Sequence, residues 1–269
     1  MRTIGPVEIV ESAGPRDTAR SAAEASDAGA RALVVLGGDA AANHAVRGLI
    51  RTRVSTPMAM LAIGRGNDFA RSLAAPVHDY LAMARLIAAG ETRTVDAAHI
   101  DGVPFANAAS FGFDADVVGR TQRPGVARST AAYASSAMDR LWRYQGFDAT
   151  VDSASGSVRG RWLALVFANG SCVDGAFCVA PHAQLDDALL DCVAIADGSP
   201  LRRAALLARA FRGSHVGVAG VSSLRDAEFT LTFAERPQFQ ADGELYCARS
   251  HIVRIGVLPR AFRVFAPRP

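Results

Sequence analysis

The chain has no lysine. All 29 basic side chains are arginine, set against 26 acidic ones, for a formal charge of +3. So small a surplus gives no footing for nucleic acid. Any phosphate gripped by a basic side chain must then be gripped by a guanidinium, which favours two-point contact over a point charge. Cysteine is scarce too: Cys172, Cys178, Cys192 and Cys247 show no C-x-x-C spacing, and the six histidines form no H-x-x-x-H pair. Those absences argue against a disulfide framework and against zinc. No run reaches the ~18 apolar residues of a spanning helix, and no secretory leader is visible. The expectation is a cytoplasmic protein with no transmembrane segment, whose contact with a membrane is at most peripheral, at the inner surface. Oligomeric state leaves no trace.

What is present is an ordinary globular balance, 50% hydrophobic and 20% charged, in 269 residues. That is enough for one or two domains. The first ninety residues alternate strand and helix patterns. Val7–Val10, Ala32–Leu36 and Met58–Ile63 read as strands, and Asp17–Ala28, Ala41–Ile50, Asp68–Leu73 and Tyr80–Ala89 as helices. Such alternation implies βαβ units and a parallel sheet. From Thr94 onward short β-like runs dominate, punctuated by Asp-Gly pairs at 101–102, 174–175, 197–198 and 242–243. The expected fold class is an α/β domain with a parallel sheet over residues 1–92, followed by a mainly antiparallel β-sandwich over 93–255. The last segment, 256–269, is expected to return to the first domain.

Two stretches could hold an anion. Leu33–Leu36 runs into Gly37-Gly38-Asp39 and a helix; Met58–Ile63 runs into Gly64-Arg65-Gly66, with Asn67-Asp68 opening another. Glycine after a buried strand lets backbone approach phosphate with no Cβ between, and the helix that follows offers unpaired N–H groups and about half a positive charge. Each stretch taken alone also reads as a tight turn with a capping side chain. The two crossovers would place both bends at one edge of the sheet, where ligands of open α/β sheets settle.

Gly37-Gly38-Asp39 with Asn43, then GRGNDFARSL, VDAAHIDGVPFANAASFGFDADVV, FANGSCVDGAFCVAPHAQLDDALLD and QADGELY, occur in this order along most of the chain. Together they resemble the catalytic domain of the diacylglycerol kinase family, which includes bacterial soluble lipid kinases and sphingosine kinases, within a larger NAD-kinase-like group. The resemblance implies transfer of the γ-phosphoryl group of ATP, with Mg2+, to a hydroxyl of a lipid alcohol at a membrane surface, in a cleft between two domains. It implies nucleotide contacts from Gly37, Gly38, Asp39, Ala40, Ala41, Asn43, Gly64, Arg65, Gly66, Asn67 and Asp68. It makes Glu244 the general base and places a magnesium site at Asp187 with backbone oxygens of Gln184 and Leu189. Read without the resemblance, Glu244 is also consistent with a solvated turn residue, and Asp186-Asp187 with a strand boundary. Asp114 and Asp116 would share one face of a strand and line the cleft. The segment from Arg123 to Arg143, with Tyr133, Trp142 and Tyr144, reads either as an amphipathic membrane contact or as a helix packed on the sandwich.

The sequence departs from the family on the nucleotide side. Ala40 and Ala41 replace the glycine and threonine of G-G-D-G-T, and Arg65 replaces a threonine, either to clamp phosphate or to obstruct the cleft. Were position 40 left-handed, alanine there would cost roughly 1–2 kcal/mol. No N-P-x-S-G turn precedes Val7, so the family's first strand is expected to be absent. These changes leave two alternatives to a working kinase. One is a catalytically impaired relative that binds lipid or protein, and the other is an NAD-kinase-like enzyme.

Overall fold

The computed structural model describes residues 5–52, 56–64, 66–121, 139–173, 175 and 177–267. It opens with helix α1 (Pro15–Asp27), strand β1 (Leu33–Gly37), α2 (Asp39–Leu49) and β2 (Met58–Ala62). β1 and β2 pair in parallel from Leu33–Met58 to Gly37–Ala62, with α2 as the crossover. α1 and α2 meet at backbone distance, since a Cβ on Gly48 would lie 2.2 Å from the Ala19 carbonyl oxygen. The helices α3 (Asp68–Ser72) and α4 (Tyr80–Ala89) complete this layer. Val7–Val10, expected as a strand, is not one: its apolar side chains are exposed. Four alternating residues do not hold an extended conformation without a partner strand. Among the described residues β1 pairs only with β2, and its Val34 and Leu36 are exposed.

The chain then builds β3 (Thr92–Ile100), β4 (Val103–Phe105), β5 (Ala108–Gly112), α5 (Phe113–Thr121), β6 (Phe147–Ser153), β7 (Gly156–Ala168) and β8 (Leu190–Ala196). After α6 (Pro200–Ala210) come β9 (Val221–Asp226), β10 (Glu228–Phe233), β11 (Gln238–Ala241), β12 (Glu244–Cys247) and β13 (Ile252–Phe265). Pairing within this part is antiparallel, and the described residues form three apolar clusters. One joins Met58, Phe69 and Met83 to Phe262 and Val264; another packs Phe111, Phe167, Phe229 and Phe239 inside the sandwich; a smaller third gathers Ala108, Val166, Val179 and Val193. Removing one such ring would cost about 3–5 kcal/mol.

β13 ties the two parts together. It runs antiparallel to β3 from Ile255–Ile100 to Phe265–Thr92, yet lies parallel to β2 at Val264–Met58. Pro259 cannot donate to a ladder, and a strand would ordinarily stop before it. The strand continues past it through a bulge between Leu258 and Phe262, where Arg260 takes a positive φ of 50°. Buried Asp96 holds that bulge by accepting the Arg260 N–H at 2.6 Å and the Ala188 N–H at 2.7 Å.

Candidate active site

The two glycine bends touch. The Ile63 N–H donates to the Gly37 carbonyl at 3.1 Å, and a Cβ on Gly38 would sit 3.1 Å from the Gly64 Cα. A Cβ on Gly37 would meet the Ala41 Cβ at 2.5 Å, so glycine is needed there for space. Gly38 caps α2 with an extended backbone, and the helix starts at Asp39. Ala40 and Ala41 are therefore helical, and the left-handed strain considered for position 40 does not arise. The first-turn N–H groups of α2 have no intrahelical acceptor and carry the positive end of the helix dipole.

The Asp39 carboxylate accepts the Phe69 N–H at 3.1 Å, which locks the first bend to the second. Burial pushes its carboxyl above the usual range, against the pull of the backbone N–H groups of Phe69, Asn67 and Asp68. Gly66 is hemmed by carboxylates, since a Cβ there would lie 3.0 Å from Asp39 Oδ2 and 3.1 Å from Asp68 Oδ2. Asn67, fully buried with φ 54°, donates to the Gly64 carbonyl at 2.8 Å, and its Oδ1 has no partner among the described residues. Asp68 opens α3 and accepts the Gly175 N–H, a bond that crosses to the sandwich. Arg65 lies outside the described residues.

α2 also presents a face to the β11–β12 hairpin. Asn43, with its amide set so that both ends are satisfied, donates to Asp242 Oδ2 (3.3 Å) and accepts from Arg47 (3.0 Å). Asn43 thus serves the joint between the lobes. Asp242 is buried and accepts the N–H groups of Ala106 (2.7 Å), Asn107 (3.0 Å) and Ala108 (3.0 Å). Burial pushes its carboxyl up to about 6, with the three N–H groups opposing and the Asp39 charge adding. Asp242 (φ 48°) and Gly243 (φ 81°) make a left-handed turn that delivers Glu244 at the start of β12. Gln240 steadies this turn by accepting the Gly243 N–H at 2.9 Å.

Glu244 faces α2. His44 Nε2 lies 2.9 Å from its Oε1, the Tyr246 hydroxyl donates to its Oε2 at 2.6 Å, and Arg47 stands 3.6 Å from Oε2. Burial alone would raise the Glu244 carboxyl, but the hydrogen bonds from His44 and Tyr246 and the charges of His44 and Arg47 outweigh it and hold it below the usual range. Burial and the Glu244 bond push the Tyr246 phenol up to about 12. The arrangement is an ionised carboxylate, fixed on two sides, projecting from one lobe beside the helix that starts at the other lobe's glycine bend.

The Asp187 carboxylate is engaged by groups of the chain itself. Its Oδ2 is ion-paired with Arg225, its Oδ1 accepts the Leu189 N–H at 2.9 Å, and Arg225 Nε also reaches Asp191 at 3.7 Å. Gln184 is exposed. A guanidinium already neutralises these carboxylates, and a divalent ion would have to displace it. Asp114 and Asp116 are a correction: both lie on α5, where residues two apart do not share a face. Asp114 accepts from Ser110 (2.6 Å) and Gln240 (2.7 Å), while Asp116 pairs with Arg120 and Arg140. Arg140 is consequently turned inward rather than toward a bilayer; residues 122–138 of that segment lie outside the described residues.

Sequence reasoning missed His44 and Arg47, whose partnership with Glu244 has no local signature, and Tyr246, which stands two residues after Glu244, a spacing that puts both on one face of a strand. It also missed Asn107 and Asn169, for which a signal existed: the tripeptide Phe-Ala-Asn occurs at 105–107 and again at 167–169. These asparagines knit the joint. Asn169 donates to the carbonyls of Asp96 (2.9 Å) and Ala106 (2.7 Å), and Asn107 accepts from Ser72 of α3 at 2.9 Å.

Comparison with known proteins identifies the family. Residues 2–100 match the model of the diacylglycerol kinase catalytic domain, and residues 107–266 match the YegS C-terminal NAD kinase beta sandwich-like domain. A protein of Pseudomonas aeruginosa named "Probable lipid kinase YegS-like" is 30% identical over 93% of this chain and 82% of its own length. A diacylglycerol kinase of Mycobacterium tuberculosis is 28% identical over 97% of this chain and 86% of its own. The crystal structure of a diacylglycerol kinase from Bacillus anthracis superposes with a TM-score of 0.72 at 15% identity, covering 96% of this chain and 84% of that one. The chain belongs to the diacylglycerol kinase family, built from that catalytic domain and the YegS-type β-sandwich domain.

Proposed function

We propose that this chain is an ATP-dependent lipid kinase that moves the γ-phosphoryl group of ATP to a hydroxyl of diacylglycerol or a related lipid alcohol. The observation that carries the reading is the reach of Glu244 across the joint to His44, on the helix that begins at the touching glycine bends. Phosphoryl transfer asks mainly for positioning and charge stabilisation. The rim where Gly38 meets Gly64 receives the phosphates, brought as the magnesium complex of ATP, on the first-turn N–H groups of α2. Glu244, ionised at neutral pH, takes the hydroxyl proton as the lipid oxygen bonds to phosphorus and the bond to ADP breaks. No step is assigned to the Asp187 cluster. No helix among the described residues is long and apolar enough to cross a membrane, and in this reading the lipid is met at the bilayer surface.

A radiolabelled-ATP assay over a lipid panel, with NAD as a competing acceptor, tests the proposal. Label entering a lipid alcohol supports it. Label entering NAD, or no acceptor, contradicts it.

A further inference from the structure

His44 has no role in the phosphate rim, yet its side chain is buried and its Nε2 is spent on Glu244 at 2.9 Å. It sits on α2 two turns from Gly38, so the helix that would grip the nucleotide also grips the proposed base. We propose that His44 is a positioning residue for Glu244: the bond from its imidazole holds the carboxylate in the orientation that meets the substrate hydroxyl. The inference rests on the kinase reading above.

The chemistry follows from the contacts. A neutral imidazole donates one N–H to Oε1, and together with the Tyr246 hydroxyl on Oε2 it fixes the carboxylate plane while leaving lone pairs for the substrate hydroxyl. The other ionisable groups around the pair are Arg47, on the same helix and 3.6 Å from Oε2, and Tyr246 on β12. Buried Asp242 lies at the neighbouring turn, with Asp39 behind it. The proton balance is simple. The lipid O–H bond breaks, its proton goes to Glu244, the oxygen bonds to the γ-phosphorus, and ADP leaves with the electron pair of the broken P–O bond.

The test compares His44→Gln and His44→Ala with wild type. Glutamine keeps an N–H donor that cannot titrate; alanine keeps nothing. His44→Ala is expected to lower kcat on the order of 10²-fold through misplacement of the base, with His44→Gln recovering most of it at pH 7.5. A merely structural histidine would leave His44→Gln no more active than His44→Ala, and this outcome would overturn the proposal, as would full activity in His44→Ala. A downfield imidazole N–H proton resonance present in wild type and lost in both His44→Gln and Glu244→Gln reads the pair without turnover. Its absence from an active wild type would overturn the pairing. Its presence in a wild type inert toward every lipid would instead sink the kinase reading.

Discussion

Gly64 stands so close to Gly38 that a Cβ on Gly64 would lie 2.5 Å from the Gly38 Cα and 2.8 Å from Asn67 Oδ1. The two bends are thus one structure, and the obstacle to any side chain is backbone, which cannot swing aside. Gly64→Ala is expected to lower stability by about 1–3 kcal/mol through overpacking. It should also abolish most of the rise in Tm that millimolar MgATP produces in wild type. Thermal melts with and without nucleotide read both effects; an undiminished MgATP shift in Gly64→Ala would separate the rim from the nucleotide.

Asp242 predicts a pH dependence. Its carboxyl is raised from 3.8 to about 6 in the fold, so the folded chain holds that proton more tightly than the unfolded chain does. The resulting contribution to stability is full below pH 3.8 and is lost as pH rises through about 6. Asp242→Asn cannot titrate. Urea denaturation at a series of pH values should show the stability of wild type, relative to Asp242→Asn, falling between pH 4 and pH 7. A flat difference would mean that the three backbone N–H groups keep the carboxylate ionised throughout.

Arg225 predicts a metal response. With its guanidinium on Asp187 and near Asp191, wild type should show no change in Tm on adding magnesium without nucleotide. Arg225→Ala frees both carboxylates and should acquire a magnesium-dependent rise in Tm that disappears in Arg225→Ala with Asp187→Asn. A rise already present in wild type and lost in Asp187→Asn would show that a cation displaces the arginine.

Much of the first lobe was legible because its signals are local. An apolar run, a pair of glycines and a helix pattern each lie within a few residues, and β1–α2–β2 follows from them. The Asp-Gly turn before Glu244 was legible for the same reason. Asp114 and Asp116 were misread because Ala108–Gly112 is a strand and nothing at Phe113 marks the switch to α5. Pro259 hid the second half of β13, since a proline normally ends a strand and only the Asp96-held bulge accommodates it. The contacts that define the site were the least legible. His44 with Glu244, and Asp187 with Arg225, are brought together by the sheet order alone, and no spacing along the chain encodes them.

The central claim is that a carboxylate from the sandwich serves phosphate held at the glycine rim. Transfer of radiolabel from ATP to lipid by Glu244→Gln, measured beside wild type in the same vesicles, tests it most directly. The account predicts a fall in kcat on the order of 10²–10⁴-fold, with the thermal shift by MgATP retained. Lipid labelling by Glu244→Gln at the wild-type rate would contradict it.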